Sequence, residues 1–135
     1  MNVEGYVHFL TVFKDGRFIA AESLHGVLVW DAMNYRLVFV GKVDGVIWEV
    51  DFSPDSTRLI AADGSNKTVI IWDIAARRKV QTLGHSHGVY AAKYSPQGDG
   101  IVTASSFSVQ VWDSDDGCWL LDIEVAVVPQ HAPLL

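Results

Sequence analysis

The chain has 135 residues, 50% of them hydrophobic and 19% charged, a composition that supports a folded core and argues against a disordered chain. The formal net charge of −6 disfavours nucleic acid as a partner, and we interpret the basic run Arg77-Arg78-Lys79 as a solvated turn. A single cysteine, Cys118, allows no intramolecular disulfide and indicates a reducing compartment, cytoplasmic or nuclear, and no apolar run is long enough to predict a membrane span.

The first part of the chain predicts four short strands. Alternating apolar residues indicate a strand at Val7–Val12, and the turn residues Asp15-Gly16 follow it. Further strands are predicted at Phe18–Ala21, Val27–Trp30 and Tyr35–Val40. Helix has little support in this composition of short apolar runs and turn residues.

The same order of features returns twice. The second unit predicts the strands Ile47–Phe52, Leu59–Ala62, Val69–Trp72 and Lys79–Leu83, with the turn Ser53-Pro54-Asp55-Ser56 after the first. The third unit predicts the strands Val89–Tyr94, Ile101–Ala104, Val109–Trp112 and Cys118–Ile123, with the turn Ser95-Pro96-Gln97-Gly98. Residues 126–135 depart from the pattern and are predicted to be a flexible tail.

The dipeptide Trp-Asp marks the repeat. It occurs at Trp30-Asp31, Trp72-Asp73 and Trp112-Asp113, and the separations of 42 and 40 residues match the period of a propeller blade. The third unit also contains Leu83-Gly84-His85 and Thr103. On these motifs the chain, over about residues 3–124, resembles the WD-repeat β-propeller family.

The resemblance implies an all-β fold of three four-stranded antiparallel blades. The segment 1–125 would hold them at about 3–40, 41–83 and 84–125. Closed propellers typically have four to eight blades, so three blades cannot close. We therefore expect both terminal sheet faces to be apolar and exposed, and a homodimer to complete a six-bladed ring.

The resemblance also implies a hydrogen-bonded tetrad of Trp, His, Ser/Thr and Asp in each blade. The third blade would supply Trp112, His85 and Thr103, with Ser106 where Asp is expected. In the second blade Trp72 would stand beside Lys42 or Val43, Ala61 or Ala62, and Asn66, and in the first only Trp30 clearly remains. The polar network is therefore expected mainly in the third blade.

A partner site is expected at the top rim, which we define as the sheet ends where the innermost strands begin. His8, Trp48 and Tyr90 occupy equivalent positions there, and Trp and Tyr are enriched in interface hot spots. The alternative is that Trp48 and Tyr90 only pack between neighbouring blades. The preceding loops place Glu4, Asp44 and His87 beside the rim, and the acidic residues favour a neutral or basic partner.

These features predict a protein-interaction scaffold and not an enzyme. His85-Ser86-His87 offers at most two metal ligands where zinc takes three or four, so no metal or cofactor is expected. The serines and aspartates belong to turns or to the repeat, which leaves no catalytic residues. Two alternatives stay open: a truncated piece of a larger WD-repeat regulatory protein that folds only by self-assembly, and a ligand-binding or hydrolytic propeller.

Overall fold

The computed structural model describes residues 9–12, 16–23 and 26–124. In this part of the chain the strands form three four-stranded antiparallel sheets, each made of strands that follow one another in sequence. The first sheet contains β1 (Phe9–Val12), β2 (Phe18–Ser23), β3 (Gly26–Asp31) and β4 (Leu37–Lys42). The second contains β5 (Ile47–Phe52), β6 (Arg58–Asp63), β7 (Thr68–Asp73) and β8 (Arg78–Gly84). The third contains β9 (Val89–Tyr94), β10 (Gly100–Ser105), β11 (Ser108–Asp113) and β12 (Trp119–Glu124), which confirms the predicted all-β class and strand order.

Several strands begin or end at residues other than those predicted from the apolar pattern. Polar residues stay in register at the ends of β6 and β7, where Asp63 pairs with Thr68 and Arg58 with Asp73, so these strands are longer than predicted. The outermost strand β4 begins at Leu37 and not at Tyr35, because Tyr35 has a φ of 58° and lies in the turn. Backbone pairing, and not hydrophobicity, therefore sets these limits.

The turn between the first two strands repeats in all three sheets. Gly16, Ser56 and Gly98 occupy the same place with φ values of 77°, 64° and 83°, in the left-handed region that favours glycine. The Ser56 N–H donates to the Ser53 carbonyl at 3.0 Å. This hydrogen bond helps to hold a serine in a conformation that glycine adopts at the other two turns.

The core lies between the sheets. Alternate residues of the second sheet face opposite neighbours: Leu59 and Ala61 pack towards the first sheet, whereas Ile60 and Ala62 pack towards the third. Both sets are 0% exposed. The middle sheet is therefore buried on both faces, as the continuous apolar run Leu59–Ala62 requires.

The innermost strands of neighbouring sheets meet side by side. β5 lies next to β9, and two carboxylates of β5 bond to the backbone of β9. Glu49 Oε1 accepts from the Ala92 N–H at 3.1 Å, and Asp51 Oδ2 accepts from the Tyr94 N–H at 2.9 Å. Lys93 also pairs with Glu49, with 3.6 Å between Nζ and Oε2. These side chains satisfy the free edge of β9, which would otherwise present unpaired donors.

The two terminal faces differ. In the third sheet Leu121 and Ile123 pair with Val111 and Val109, point away from the second sheet, and are 51% and 49% exposed. In the first sheet Trp30, which points away from the second sheet by the same register, is only 7% exposed. The expected exposure is therefore confirmed for the third sheet, whereas on the first sheet Trp30 is buried and Ile19 and Leu28 are half-buried.

Candidate functional site

The candidate site lies at the top rim of the second and third sheets. Here the starts of β5 and β9 come together with the β6–β7 turn and the β10–β11 turn, which are at the same end of antiparallel strands. Turns at one end of a rigid sheet stack are typical positions for binding residues.

Trp48 and Tyr90 each sit on a β-bulge. In β5, Ile47 pairs with Asp63 and Glu49 with Ala62, so Trp48 has no partner across the strand. In β9, the same irregularity leaves Tyr90 unpaired. A bulge re-aims the side chain of its extra residue, and both rings are turned out to 54% and 48% exposure.

The two exposed rings form one surface. Their centroids are 6.0 Å apart at an interplanar angle of 66°, an edge-to-face arrangement favoured by aromatic quadrupoles. The Trp48 indole lies against Gly64, where a Cβ atom would collide with the indole Nε1. The Tyr90 hydroxyl is bonded to the Ser106 hydroxyl at 3.0 Å. These contacts hold the pair in place without burying it.

A second aromatic contact extends the surface. The rings of His87 and Phe107 are 4.7 Å apart, and Phe107 is 60% exposed. The sequence analysis named His87 but missed Phe107. The signal was available, since Phe107 is a large apolar residue in the otherwise polar turn Ser105-Ser106-Phe107-Ser108.

The remaining predicted rim residues divide into two groups. Asp44 is exposed in the turn before β5. His8 and Glu4 lie outside the described residues, so the structure places neither of them. Among the six predicted rim residues, Trp48, Tyr90, His87 and Asp44 are therefore at the same end of the described sheets.

A polar relay lies beneath this surface in the third sheet. The Trp112 Nε1–H donates to Thr103 Oγ1 at 3.0 Å, and Thr103 Oγ1 is 2.8 Å from His85 Nε2. His85 Nδ1 is 3.0 Å from the Leu83 carbonyl, which can only accept, so Nδ1 carries the proton. His85 Nε2 therefore accepts from the Thr103 hydroxyl, and every bond in the relay has one defined direction.

The environment keeps His85 neutral. Burial lowers the pKa of His85 below its ordinary value of 6.5, and the hydrogen bond to Leu83 opposes this only in part. The imidazole ring also lies 5.2 Å from the Trp112 ring. Burial therefore favours the neutral imidazole that the relay requires.

The other expected tetrad residues are arranged differently. Ser106 bonds to Tyr90 at the rim and makes no bond to the relay. In the second sheet, Val43 and Ala61 take the register positions of His85 and Thr103, and both are buried in the apolar core with Trp72. Apolar packing there replaces the polar relay of the third sheet.

The second sheet has its own polar turn. Asp63 is 1% exposed and accepts from the Ser65 and Asn66 N–H groups at 3.0 and 3.1 Å, and from Asn66 Nδ2 at 2.8 Å. Asn66 was expected at the Asp position of the tetrad, and here it bonds to Asp63. The sequence Asp63-Gly64-Ser65-Asn66 is a turn signal that predicts this arrangement.

Within the described residues no group of three or more His, Cys, Asp or Glu side chains is placed to hold a metal ion. None of the described segments is a helix of the length and apolarity that crossing a bilayer requires.

Comparison with known proteins identifies the repeat. The family model "WD domain, G-beta repeat" matches residues 34–73 and 77–113. Protein groucho of Drosophila melanogaster is 37% identical over 75 residues, which cover 54% of this chain and 10% of that protein. The guanine nucleotide-binding protein subunit beta of Schizosaccharomyces pombe is 28% identical over 116 residues, which cover 83% of this chain and 38% of that protein.

A solved structure shows the same fold. The structure of U3-55K superposes with a TM-score of 0.82 at 18% sequence identity, covering 93% of this chain and 41% of that chain. The chain thus spans well under half the length of these similar proteins. At this identity the likeness concerns the fold alone, since one fold supports many functions.

Proposed function

The chain belongs to the WD40-repeat family, and on that premise we propose that it is a non-enzymatic scaffold that binds a protein or peptide at its top rim. The observation that carries the proposal is the pair Trp48 and Tyr90, which two equivalent β-bulges expose at the same end of adjacent sheets. Aromatic residues of this kind dominate binding energy when a partner covers them.

The exposure of Trp48 and Tyr90 argues against a role in packing alone. Residues that pack between sheets here are nearly inaccessible, as Val50 and Ala92 are at 1% and 0% exposure. Trp48 lies two positions before Val50, and Tyr90 lies two positions before Ala92. Both aromatic side chains are nevertheless about half exposed. The rim therefore presents a preformed aromatic surface, which reduces the entropy lost on binding.

We propose that the partner segment is neutral or basic. Asp44 is exposed in the turn before β5, and Glu4 and His8 belong to the same proposed site by sequence position. The formal net charge of −6 would repel an acidic partner and a nucleic acid.

The test is binding of an identified partner, obtained by affinity capture with the intact chain. Trp48→Ala and Tyr90→Ala should each weaken binding by at least about 2 kcal/mol, or roughly thirtyfold in Kd. Trp119→Ala is the matched control, because Trp119 is also 54% exposed but lies on the outermost strand. Unchanged affinity in both rim variants, with the fold intact, contradicts the proposal.

We also propose that two chains join as a six-bladed ring. The third sheet presents an apolar face, and in the second sheet the equivalent face is buried against the next sheet at Ile60, Ile71 and Leu83. A second copy offers Ile19 and Leu28 of its first sheet, which are only half-buried. The interface of such a ring would also have to include the sheet face that carries Trp30, a side chain already buried in the single chain.

A second candidate is that the chain is part of a larger propeller, with further blades covering the third sheet. The shares of 38% and 41% of two similar proteins favour it. The mass of the native polypeptide, detected with an antibody against this chain, distinguishes the two. A native protein of 135 residues supports the dimer, and a much longer one supports the larger propeller.

We propose an intracellular location, cytoplasmic or nuclear. Cys118 is a free and exposed thiol, which is typical of a reducing compartment. Imaging of the tagged chain tests this, and secretion into the medium would contradict it.

A further inference from the structure

A polar pocket opens beside the top rim, on the face of the third sheet that is turned towards the second sheet. Its volume is about 410 Å³, which lies in the range of ligand-binding pockets. The residues that line it are His85, Ser86, His87, Ser105, Phe107, Ser108, Gln110 and Asp122. Asp122 is the one carboxylate among them, and no lysine or arginine lines the pocket.

The pocket exists because of one change between the sheets. Gln110 lies on β11 and pairs with Thr103 on one neighbouring strand and with Asp122 on the other. The residue at the same register position in the second sheet is Ile70, which is 8% exposed and belongs to the core. Gly84 faces open space, since a Cβ atom there would contact nothing within 4 Å. The third sheet thus carries a polar side chain at the position that the second sheet fills with the buried Ile70.

The pocket also contains an unused acceptor. Among the described residues, Gln110 Oε1 is buried and has no hydrogen-bond partner. A buried acceptor without a partner costs about 1–3 kcal/mol. His85 cannot supply the missing donor, because its two ring nitrogens are used by Leu83 and Thr103. Within the described residues Gln110 Oε1 therefore has no donor, and a ligand reaches it only when the Gln110 amide turns towards the pocket.

The aromatic side of the pocket and its one carboxylate indicate which kind of ligand it would bind. The rings of His87 and Phe107, 4.7 Å apart, form an aromatic side of the pocket, and a flat cation stacks favourably on such a surface. Asp122 and Gln110 Oε1 both accept hydrogen bonds. Guanidinium is planar, is always charged and carries five donors, so it matches several acceptors beside an aromatic wall better than ammonium does.

We propose that this pocket binds the guanidinium group of an arginine side chain of a partner docked at the top rim. The inference rests on the proposed function of the rim, and His87 and Phe107 belong to both surfaces. Arginine enters beside the aromatic pair, pairs with the Asp122 carboxylate and donates to Gln110 Oε1 once the Gln110 amide turns towards the pocket.

The test uses three tripeptides that differ at one position: acetyl-Ala-Arg-Ala-amide and its citrulline and lysine counterparts. Amide chemical shifts of the folded chain are followed by NMR during titration. The arginine peptide should bind with a millimolar Kd and shift the amides of residues 105–110 and 122. The citrulline peptide keeps the shape and loses the charge, so it should bind at least about tenfold more weakly. The lysine peptide should also bind more weakly than arginine.

Two variants locate the binding. Asp122→Asn should weaken the arginine peptide about tenfold. Gln110→Ile copies Ile70 of the second sheet, so it should close the pocket and abolish binding while the chain stays folded. Asp115→Asn is the matched control, because Asp115 is exposed in the β11–β12 turn and does not line the pocket.

Several outcomes overturn the inference: equal binding of the arginine and citrulline peptides, equal binding of the lysine peptide, no saturable shifts, or full binding by Asp122→Asn. Asp115→Asn should leave the tripeptide affinity unchanged, because Asp115 does not line the pocket. A partner that needs Trp48, combined with no tripeptide binding, would refute the arginine pocket and leave the rim proposal standing.

Discussion

Thr103 is the central residue of the relay in the third sheet. It is 1% exposed, and its hydroxyl accepts from Trp112 and donates to His85. Thr103→Val keeps the shape but leaves both neighbours without a partner, so we expect a loss of at least about 2 kcal/mol in the free energy of unfolding. Urea denaturation measures this.

The control for this variant is a pair of changes that copies the second sheet. His85→Val with Thr103→Ala reproduces Val43 and Ala61, which are buried beside Trp72. Because fewer polar groups are stranded, the double variant should lose less stability than the sum of its single changes. Strict additivity would contradict the relay.

His85 makes stability depend on pH. Its pKa in the folded chain is lowered by burial, whereas the unfolded chain has the ordinary value of 6.5. Between these two values the unfolded state binds more protons, so stability is fully present above about pH 6.5 and is lost as the pH falls towards the folded pKa. His85→Gln should show a smaller loss in unfolding free energy between about pH 7.5 and about pH 5.5. An identical pH profile in the two proteins would argue against this role.

At the scale of elements, β5 and β9 are joined by side chains as well as by apolar packing. Asp51 accepts from the Tyr94 N–H across 43 positions of sequence. Asp51→Ala should lower the free energy of unfolding by about 1–2 kcal/mol, whereas Asp51→Asn keeps an acceptor and should lose less. Thermal or urea unfolding compares them, with Asp115→Ala as an exposed control. Equal stability of the two Asp51 variants would show that the contact contributes nothing.

The equivalent contact at ring closure would be weaker. In β9 the register positions of Glu49 and Asp51 are Ala91 and Lys93, neither of which can accept a hydrogen bond from an N–H group of a neighbouring strand. Closure between two chains would therefore lack the two hydrogen bonds that Glu49 and Asp51 make within the chain. We expect the joint between chains to open at lower denaturant concentration than the joint between the second and third sheets.

At the scale of the whole molecule, the proposed ring depends on the apolar face of the third sheet. Burial at about 25 cal/mol per Å² favours closure, and the loss of freedom on association opposes it by an estimated 4–15 kcal/mol. Leu121→Asp should abolish a dimer, while Val80→Asp, on the polar outermost strand of the middle sheet, should leave it intact. Sedimentation across a dilution series measures this, and a folded monomer of the unmodified chain at high concentration would contradict the ring.

Much of the fold is local in origin and could be predicted. The Trp-Asp spacing and the alternating strands predicted three sheets of four strands, because side-chain periodicity and turn chemistry act over a few residues. The exposed positions of Trp48 and Tyr90 follow from the same repeat. The β-bulges that turn these two rings outward left no mark in the apolar pattern.

The sequence by itself determined the strand order, and the family resemblance implied the residues of the His85 relay. Only the tertiary structure decided which distant groups meet: Ser106 with Tyr90, Asp51 with β9, and Gln110 with His87 and Asp122 around one pocket. It also decided that Trp30 is buried while Leu121 is exposed. The physical reason is that these contacts depend on how one sheet sits against the next, and no periodicity within a single strand encodes that placement.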